Sequence, residues 1–247
     1  RKGMSMASNV PAWQDQGPAD AQQAVVFLHG IGGGRAAWAA QQAHVAQRGW
    51  RSLAWDMPGY GDSALCQPYD FGHLAQALMH MLDAAKVKQA VLVGHSMGAM
   101  VALQAWTQAP KRLLGLLLAA SSPAFGQPDG EFQQRFLAQR LDPLTRGQGM
   151  AEIAERLIPS MLSPAGQASA WALARQSMAA VAPDTYRAAL HALVRFEQRA
   201  ALPTISVPVL CLAAEHDSTA PAAVLSRMAE KIPNAQYACL AGAGHLL

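Results

Sequence analysis

The chain has 247 residues, of which 51% are hydrophobic and 14% are charged, and its mean hydropathy is +0.08. This composition excludes the disordered, highly charged class, and the length favours one large domain, or a core with one inserted subdomain, over two independent domains. The formal net charge is only +3 and no run of like charges is present, so nucleic acid and anionic membranes are not expected partners.

The cysteines and the N-terminal segment indicate the cellular setting. Cys66, Cys211 and Cys239 are far apart and show neither a C-x-x-C motif nor the spacing of a metal-ligand set. They predict no disulfide framework and no metal site, and they favour a reducing, cytoplasmic compartment. Residues 1–10 carry positive charge without an apolar stretch after them, and the longest apolar run, residues 113–120, is far shorter than the roughly 20 residues of a bilayer span. We expect no signal peptide and no membrane span.

The first predicted elements are two short strands that each end in a turn. Residues 24–28 form an apolar, β-branched segment that stops at the glycine-rich stretch 29–34. Residues 50–55 form a second strand, and the proline and glycines of residues 56–63 enforce a loop after it. A helix follows, because apolar residues recur at helical spacing within residues 74–85.

The next segment predicts a buried sheet. Residues 90–93 form a third strand, residues 97–108 a helix that ends before Pro110, and residues 113–120 another apolar strand. Strands that lack a polar face and alternate with helices are typical of a mostly parallel sheet covered by helices on both sides. The sequence therefore predicts the α/β fold class.

The pattern changes between residues 123 and 203. No strand-like run occurs there, and several helical stretches are separated by prolines, at Pro123, Pro128, Pro143, Pro159, Pro164 and Pro183. We interpret residues 123–203 as an inserted helical cap on a core that consists of residues 1–122 and 204–247. The sheet pattern then returns in three predicted elements, which are a strand at 207–212, a helix at about 221–231 and a last strand at 236–240.

The motif Gly94-His95-Ser96-Met97-Gly98 is the main chemical signal. It matches G-x-S-x-G and falls between a predicted strand and a predicted helix, which is the position of a nucleophile elbow. There the glycines allow a crowded turn that lifts the Ser96 hydroxyl above the sheet. The alternative is an ordinary glycine-rich turn in which Ser96 caps the helix.

A serine nucleophile also needs a base and an orienting carboxylate. Asp217 follows the predicted strand at 207–212, and His245 follows the last strand, in the chain order Ser, acid, His that suits this architecture. The alternatives are a turn-capping role for Asp217, with Glu215 as the competing acid, and an ordinary loop histidine at position 245. We interpret His95 and His29 as packing residues.

The developing oxyanion of acyl transfer requires N–H donors. The backbone N–H of Met97, directly after the nucleophile, is one candidate, and that of Ile31 in the glycine-rich loop is the second, with Gly32 as a neighbour able to take its place. A phosphate cradle is the rival interpretation of this loop, but the loop lacks G-x-G-x-x-G and any Gly-Lys-Ser/Thr.

These motifs, together with residues 56–63 and in matching order along the chain, resemble the α/β-hydrolase superfamily. Among its branches the chain is most similar to small bacterial capped hydrolases, which include 3-oxoadipate enol-lactonases, meta-cleavage-product C–C hydrolases and carboxylesterases. The resemblance implies a catalytic triad of Ser96, His245 and Asp217 and no cofactor. Family members generally continue into a C-terminal helix, whereas this chain ends at Leu247, so we expect weak anchoring of His245.

The resemblance leaves the substrate open. Hydrolysis of a small-molecule ester or lactone is the main expectation, C–C hydrolysis of a dienone diketone is an alternative, and a non-catalytic receptor on the same fold is another. Five residues are candidates for substrate contact: Gly30, Gly32, Trp38, Phe125 and Trp171. The predicted cap carries no lysine and has the arginines Arg135, Arg140, Arg146, Arg156, Arg175, Arg187, Arg195 and Arg199. Arginines suit the recognition of a carboxylate-bearing substrate, and solvated helix faces explain them equally well.

Overall fold

The computed structural model describes residues 10–127, 129–164, 166 and 168–247. Residues 1–9, which hold most of the segment used to predict the absence of a signal peptide, and Pro128 lie outside the described residues. The strands are β1 Trp13–Gln16, β2 Gln23–Leu28, β3 Ser52–Trp55, β4 Gln89–His95, β5 Leu113–Ala119, β6 Val209–Ala214 and β7 Ala235–Leu240. The α-helices are α1 Ala39–Gln47, α2 Phe71–Ala84, α3 Met97–Gln108, α4 Glu131–Thr145, α5 Met150–Leu157, α6 Ala168–Ala179, α7 Pro183–Leu193 and α8 Ala222–Lys231.

The strands form one sheet of seven in the order β1-β3-β2-β4-β5-β6-β7. Only β1 runs antiparallel to its neighbour, and every other neighbouring pair is parallel. Helix α3 packs against β4 and β5, and α8 packs against β6 and β7. The predicted α/β class with a mostly parallel sheet is therefore confirmed. This order sets the carboxyl ends of β4, β6 and β7 along one edge of the sheet, where ligands of such folds bind.

Helix α2 shows why the apolar pattern predicted it correctly. Leu74, Leu78, Met81 and Leu82 lie on its inner face and are fully buried. Its start is fixed by Asp70, whose carboxylate accepts a 2.8 Å hydrogen bond from the N–H of His73. The packing stripe and the cap together define both the face and the beginning of this helix.

Three details differ from the sequence prediction. The strand expected at 207–212 begins at Val209, because Pro208 has no N–H for the ladder and offers only its carbonyl, which accepts from Leu116 N at 3.0 Å. Pro143 lies inside the last turn of α4 rather than at a helix boundary. The short strand β1 and helix α1 have no counterpart in the prediction.

The segment between β5 and β6 is helical and its two ends meet. It carries α4 to α7, and its described residues contribute no strand to the sheet. Phe125 N donates to Phe196 O at 3.0 Å and Gln198 N donates to Pro123 O at 2.8 Å. The segment therefore leaves the core and returns to it at one place. Among the described residues no helix combines the length and the apolar character that crossing a membrane requires.

Candidate active site

Ser96 occupies a sharp turn between β4 and α3. Its backbone lies at φ 54° and ψ −117°, in the left-handed half of φ that a residue with a side chain rarely adopts. Two contacts hold this conformation: Ser96 N donates to Ala119 O at 2.9 Å, and Ser121 Oγ donates to Ser96 O at 2.8 Å. The Ser96 side chain makes no capping hydrogen bond to α3, so the structure does not support the capping alternative.

The two glycines of the motif are required by close backbone contacts. A Cβ at Gly98 would lie 2.1 Å from the carbonyl oxygen of Leu28, and one at Gly94 would lie 2.5 Å from the backbone nitrogen of Ala99. Both distances are far shorter than a van der Waals contact, and both partners are backbone atoms that cannot rotate away. The G-x-S-x-G spacing therefore follows from the packing of β4, β2 and α3 around the serine.

Ser96, His245 and Asp217 form one hydrogen-bonded chain. Nε2 of His245 lies 3.1 Å from Ser96 Oγ, and Nδ1 of His245 lies 2.8 Å from Asp217 Oδ2. A carboxylate only accepts, so Nδ1 carries the proton and Nε2 is left to accept one from the serine. The side chain of Asp217 is fully buried, and its Oδ1 accepts from the N–H groups of Thr219 and Ala220 at 2.8 and 2.9 Å.

The environment of Asp217 keeps it ionised. Burial alone would raise the pKa of this carboxyl, but the hydrogen bond and charge of His245 and the N–H groups of Ala220 and Thr219 outweigh burial and lower it. Glu215, the competing acid, is exposed and accepts from Gly242 N at 2.7 Å instead. The structure thus brings Asp217, and not Glu215, to the histidine.

Two backbone N–H groups stand beside Ser96 without acceptors. Neither the N–H of Met97 nor that of Ile31 donates to a protein atom among the residues that the structure describes. A Cβ added to Gly30, next to Ile31, would lie 3.3 Å from Ser96 Cβ, so the glycine-rich loop runs directly beside the serine. The positions suit the predicted donors for an oxyanion.

His29 and Tyr60 fix the peptide groups of this loop. His29 accepts from Met57 N at Nε2, at 3.0 Å, and therefore donates from Nδ1 to Gly30 O, at 2.7 Å. In a trans peptide the N–H points away from the carbonyl, so holding Gly30 O aims the N–H of Ile31. Tyr60 OH donates to Ile31 O at 2.7 Å and holds the next peptide group. His29 is buried, and burial lowers its pKa.

The loop that carries His245 is held from the core and from the helical segment. His95 Nε2 lies 2.7 Å from the carbonyl oxygen of His245. On the other side, Gly244 N donates to Ser163 Oγ at 2.9 Å and Leu246 N donates to Met161 O at 3.0 Å. The expectation that His245 is weakly anchored is therefore wrong, because three hydrogen bonds to segments distant in sequence hold its loop.

These supporting contacts are not predicted by the sequence patterns. Ser121 follows the carboxyl end of β5, next to the strand that carries Ser96, and a polar residue at that edge is a signal that could have indicated it. Ser163 and Met161 lie within the helical segment, and no local pattern marks them. His95 was interpreted as a packing residue only, and its ring does contact that of His245, with 5.1 Å between centroids.

The predicted substrate-contact residues fall into two groups. Gly30 lies beside Ser96, and a Cβ at Gly32 would lie 3.3 Å from Met178 Cγ, below the helical segment. The other three make aromatic or cationic contacts: Phe125 packs on Phe132 and Phe136, Trp38 on Phe27, and Trp171 under the guanidinium of Arg175. Of the five, Gly30 is the one for which a close approach to Ser96 is observed. Within the described ranges no cluster of three or more His, Cys, Asp and Glu could hold a metal ion.

Comparison with known proteins gives the family. A family model described as alpha/beta hydrolase fold matches residues 23–247. A relative from Variovorax paradoxus (strain S110), named for carbamate hydrolysis, is 30% identical over 245 residues and covers 94% of this chain and 88% of the relative. A pimeloyl-acyl-carrier-protein methyl ester esterase from Vibrio campbellii is 30% identical over 230 residues, with 91% and 87% covered.

A comparison with solved structures also finds a hydrolase. A thermophilic esterase from Thermogutta terrifontis superposes with a TM-score of 0.85 at 25% identity, and the match covers 96% of this chain and 86% of the esterase. The match to the family model extends from β2 to the end of the chain and so includes Ser96, Asp217 and His245. The chain therefore belongs to the α/β-hydrolase fold family and is a hydrolase.

Proposed function

We propose that this hydrolase cleaves a carboxylic ester or lactone of a small molecule through an acyl-enzyme on Ser96. The observation that carries the proposal is the hydrogen-bond chain from Ser96 through His245 to Asp217, with distances of 3.1 and 2.8 Å. The names of the Vibrio and Thermogutta relatives, both esterases, support ester chemistry. No cofactor enters the proposed reaction.

In the acylation step Ser96 Oγ attacks the carbonyl carbon while its proton passes to Nε2 of His245. The ionised Asp217 stabilises the imidazolium through Nδ1. The carbonyl oxygen becomes an oxyanion that accepts from the N–H groups of Met97 and Ile31. When the tetrahedral intermediate collapses, the ester C–O bond breaks, and the alcohol leaves with the proton that His245 returns.

The deacylation step repeats this chemistry with water. His245 Nε2 accepts a proton from water as the water oxygen attacks the acyl carbon, and the same two N–H groups hold the second oxyanion. Ser96 Oγ then leaves and regains its proton from His245, which releases the carboxylic acid. For a lactone the alcohol and the acid remain in one molecule, so the product is a hydroxy or keto acid.

We further propose that residues 123–203 act as a cap that selects the substrate, while the core supplies the reaction. The paired ends at Pro123–Phe125 and Phe196–Gln198 support an inserted unit, and the close approach of Met178 to Gly32 supports a position of this unit over the glycine-rich loop. None of the five proposed catalytic groups comes from the cap. Variation in the cap would then change specificity without changing the chemistry.

A second candidate activity is carbamate hydrolysis. It is favoured by the 30% identity to the Variovorax relative over 94% of this chain. Ser96 would attack a carbamate carbonyl in the same way, and the same N–H groups would stabilise the oxyanion, so only the substrate distinguishes the two candidates. Hydrolysis of a dienone diketone, which would break a C–C bond, is a further alternative, and the substrate panel described next includes it.

The test is a substrate panel run with wild type, Ser96→Ala and the control Ser160→Ala. The panel contains p-nitrophenyl acetate, a methyl ester, an enol-lactone, a carbamate and a dienone diketone. We expect ester or lactone turnover that falls about 10³-fold or more in Ser96→Ala. Ser160 is exposed, so its variant should match wild type. Retention of most activity in Ser96→Ala would reject the mechanism, and turnover of the carbamate or the diketone alone would reject the substrate class.

We also propose a cytoplasmic location. Cys66, Cys211 and Cys239 are all free thiols, and Cys239 is exposed. Exposed free thiols suit a reducing compartment. Fractionation of cells that express the full-length protein, followed by immunodetection, tests this proposal.

A further inference from the structure

His95 is a partly buried histidine beside the proposed nucleophile, and the proposed reaction does not use it. It is the last residue of β4 and directly precedes Ser96. Its Nε2 lies 2.7 Å from the carbonyl oxygen of His245, 150 positions further along the chain. Because a carbonyl can only accept, Nε2 carries a proton and donates it. This hydrogen bond joins the residue before the proposed nucleophile to the main chain of the proposed base.

The contact fixes the part of His245 that the carboxylate does not hold. Asp217 binds the imidazole through Nδ1 and limits its rotation, but it does not determine where the backbone of His245 lies. The hydrogen bond from His95 holds that backbone at the end of β4. The hydrogen bonds of Gly244 and Leu246 to the helical segment hold the residues on either side of His245, and the contact from His95 is the one that ties His245 itself to the strand before Ser96, 3.1 Å from Ser96 Oγ to His245 Nε2.

The charge state of His95 suits this role. Burial is the largest cause that lowers the pKa of His95 to about 4, and the neighbouring His245 and His29 lower it further. The hydrogen bond to the carbonyl of His245 and the charge of Asp217 act in the opposite direction. His95 is therefore neutral at neutral pH. A neutral ring can donate its hydrogen bond without opposing the positive charge that His245 acquires when it takes the proton from Ser96.

We propose that His95 is a positioning residue, which sets the distance between the nucleophile and the base by donating a hydrogen bond to the backbone of His245. The inference rests on the proposed function, since it assumes that Ser96 and His245 react. Its chemical requirement is one N–H donor at the end of the side chain. A side chain that presents a donor at the same reach can replace histidine, and one that is shorter or apolar cannot.

The experiment compares His95→Gln, His95→Asn and His95→Leu. The glutamine amide nitrogen is four bonds from Cα, as is Nε2 of histidine, whereas the asparagine amide nitrogen is one bond shorter and leucine has no donor. With p-nitrophenyl acetate we expect kcat to fall about 10- to 100-fold in the asparagine and leucine variants, with KM within about threefold of wild type. We expect kcat of the glutamine variant to lie within about fivefold of wild type. His80→Asn, at an exposed histidine, is the matched control.

A second measurement separates the inference from the function on which it rests. The rate at which a fluorophosphonate labels Ser96 reports the reactivity of the serine, and Ser96→Ala defines the background. We expect the labelling rates of the His95 variants to follow their kcat values. Absence of labelling in wild type would overturn the proposed function and the positioning role with it. If wild type is labelled and the glutamine and asparagine variants have equal labelling rates, the positioning role alone is overturned. The comparison of these two polar variants still decides the question if the leucine variant does not fold.

Discussion

At the scale of single residues, the surroundings of two nearby carboxylates decide which one serves the histidine. Asp217 is buried, and its oxygens accept from His245 and from two backbone N–H groups, so it is held in one orientation and remains ionised. Glu215 is exposed, and its carboxylate accepts from Gly242 N and lies 3.6 Å from Nε2 of the neighbouring His216. A catalytic carboxylate must fix the imidazole and stabilise its charge, and only Asp217 is placed to do both.

We expect Asp217→Asn to lower kcat about 10³-fold or more, because an amide nitrogen facing Nδ1 favours the wrong tautomer of His245 and removes the counter-charge. Glu215→Gln, two positions away, should keep kcat within about threefold of wild type. Steady-state kinetics on p-nitrophenyl acetate measure both variants. A larger loss of kcat in Glu215→Gln than in Asp217→Asn would show that Glu215, and not Asp217, is the catalytic acid.

The three residues of this site could be predicted from sequence because each is marked locally. Ser96 lies within a glycine motif, and Asp217 and His245 each follow an apolar strand. The roles of Ser163 and His95 could not be predicted in the same way, because they depend on hydrogen bonds to segments 81 and 150 positions away. Local patterns therefore indicate the proposed reacting groups, whereas tertiary contacts identify most of the groups that hold them.

At the scale of elements, the approach of α3 to β2 makes Gly98 irreplaceable. We expect Gly98→Ala to destabilise the protein by about 1–3 kcal/mol or more, since its methyl group would lie 2.1 Å from the Leu28 carbonyl and force the nucleophile turn apart. Activity should fall with it. Gly149→Ala is the control, because a Cβ there meets nothing within 4 Å and its φ is −83°. Thermal unfolding measures both, and an equal Tm in the two variants would contradict the argument.

Arg140, on helix α4, is one of the arginines of the proposed cap that have no carboxylate partner among the described residues. Arg135, Arg175 and Arg199 each pair with a glutamate. Arg140 is half-buried, lies 3.7 Å from the centroid of the Phe136 ring, and has no carboxylate partner in the part of the chain that the structure describes. Burial lowers the pKa of Arg140, and the neighbouring Tyr186 acts in the opposite direction.

We expect Arg140→Gln to reduce kcat/KM about 10-fold for an ester that bears a free carboxylate, the scale of one lost charge-assisted hydrogen bond of about 1.5 kcal/mol. The neutral methyl ester of the same compound should be hydrolysed at the wild-type rate. Arg135→Gln, at an exposed and paired arginine, is the matched control. The same kcat/KM for the acidic ester in both variants would reject Arg140 as the residue that binds the substrate carboxylate, and only unaffected kinetics in all eight single variants of the cap arginines would discard an acidic substrate.

The elements that the sequence did not predict lack the apolar signal on which such predictions depend. Helix α1 buries a single residue, Gln42, whose amide donates to Gln14 O and Ser52 O rather than packing in an apolar stripe. Strand β1 is a four-residue edge strand with two exposed central residues. Both are held by hydrogen bonds to β3 and its neighbours, which a search for hydrophobic periodicity does not detect.

At the scale of the whole molecule, the sheet assembles the site from distant segments. Ser96 and His245 are 149 positions apart and Asp217 is 28 positions from His245, yet all three follow the carboxyl ends of β4, β6 and β7. Parallel strands present those ends at one edge, so the location of the site could be predicted from the strand pattern. The contact of the cap with the His245 loop could not, because the path of an inserted helical segment depends on packing between surfaces.

Folding also leaves two histidines neutral within the site, and this makes stability depend on pH. The pKa of His95 is lowered to about 4 and that of His29 is also lowered, both chiefly by burial, whereas histidine in an unfolded chain has a pKa of about 6.5. Below pH 6.5 the unfolded chain therefore binds protons that the folded chain does not. The free energy of unfolding must then fall as the pH drops from about 6.5 towards 4. Asp217 acts outside this window, because its lowered pKa removes stability only below about pH 4.

We expect His95→Gln to reduce the slope of the unfolding free energy between pH 6 and 5, by at most about 1.4 kcal/mol per pH unit, since one histidine with a lowered pKa is removed and His29 remains. Urea unfolding at pH 7, 6 and 5 measures the slope, and His80→Asn, at an exposed histidine, should leave it unchanged. The charged or titratable groups around His95 are His245, Asp217 and His29, and all are retained in the variant. An identical slope in His95→Gln and wild type would mean that His95 accepts a proton in the folded protein as readily as in the unfolded chain, in conflict with its burial against the proposed base.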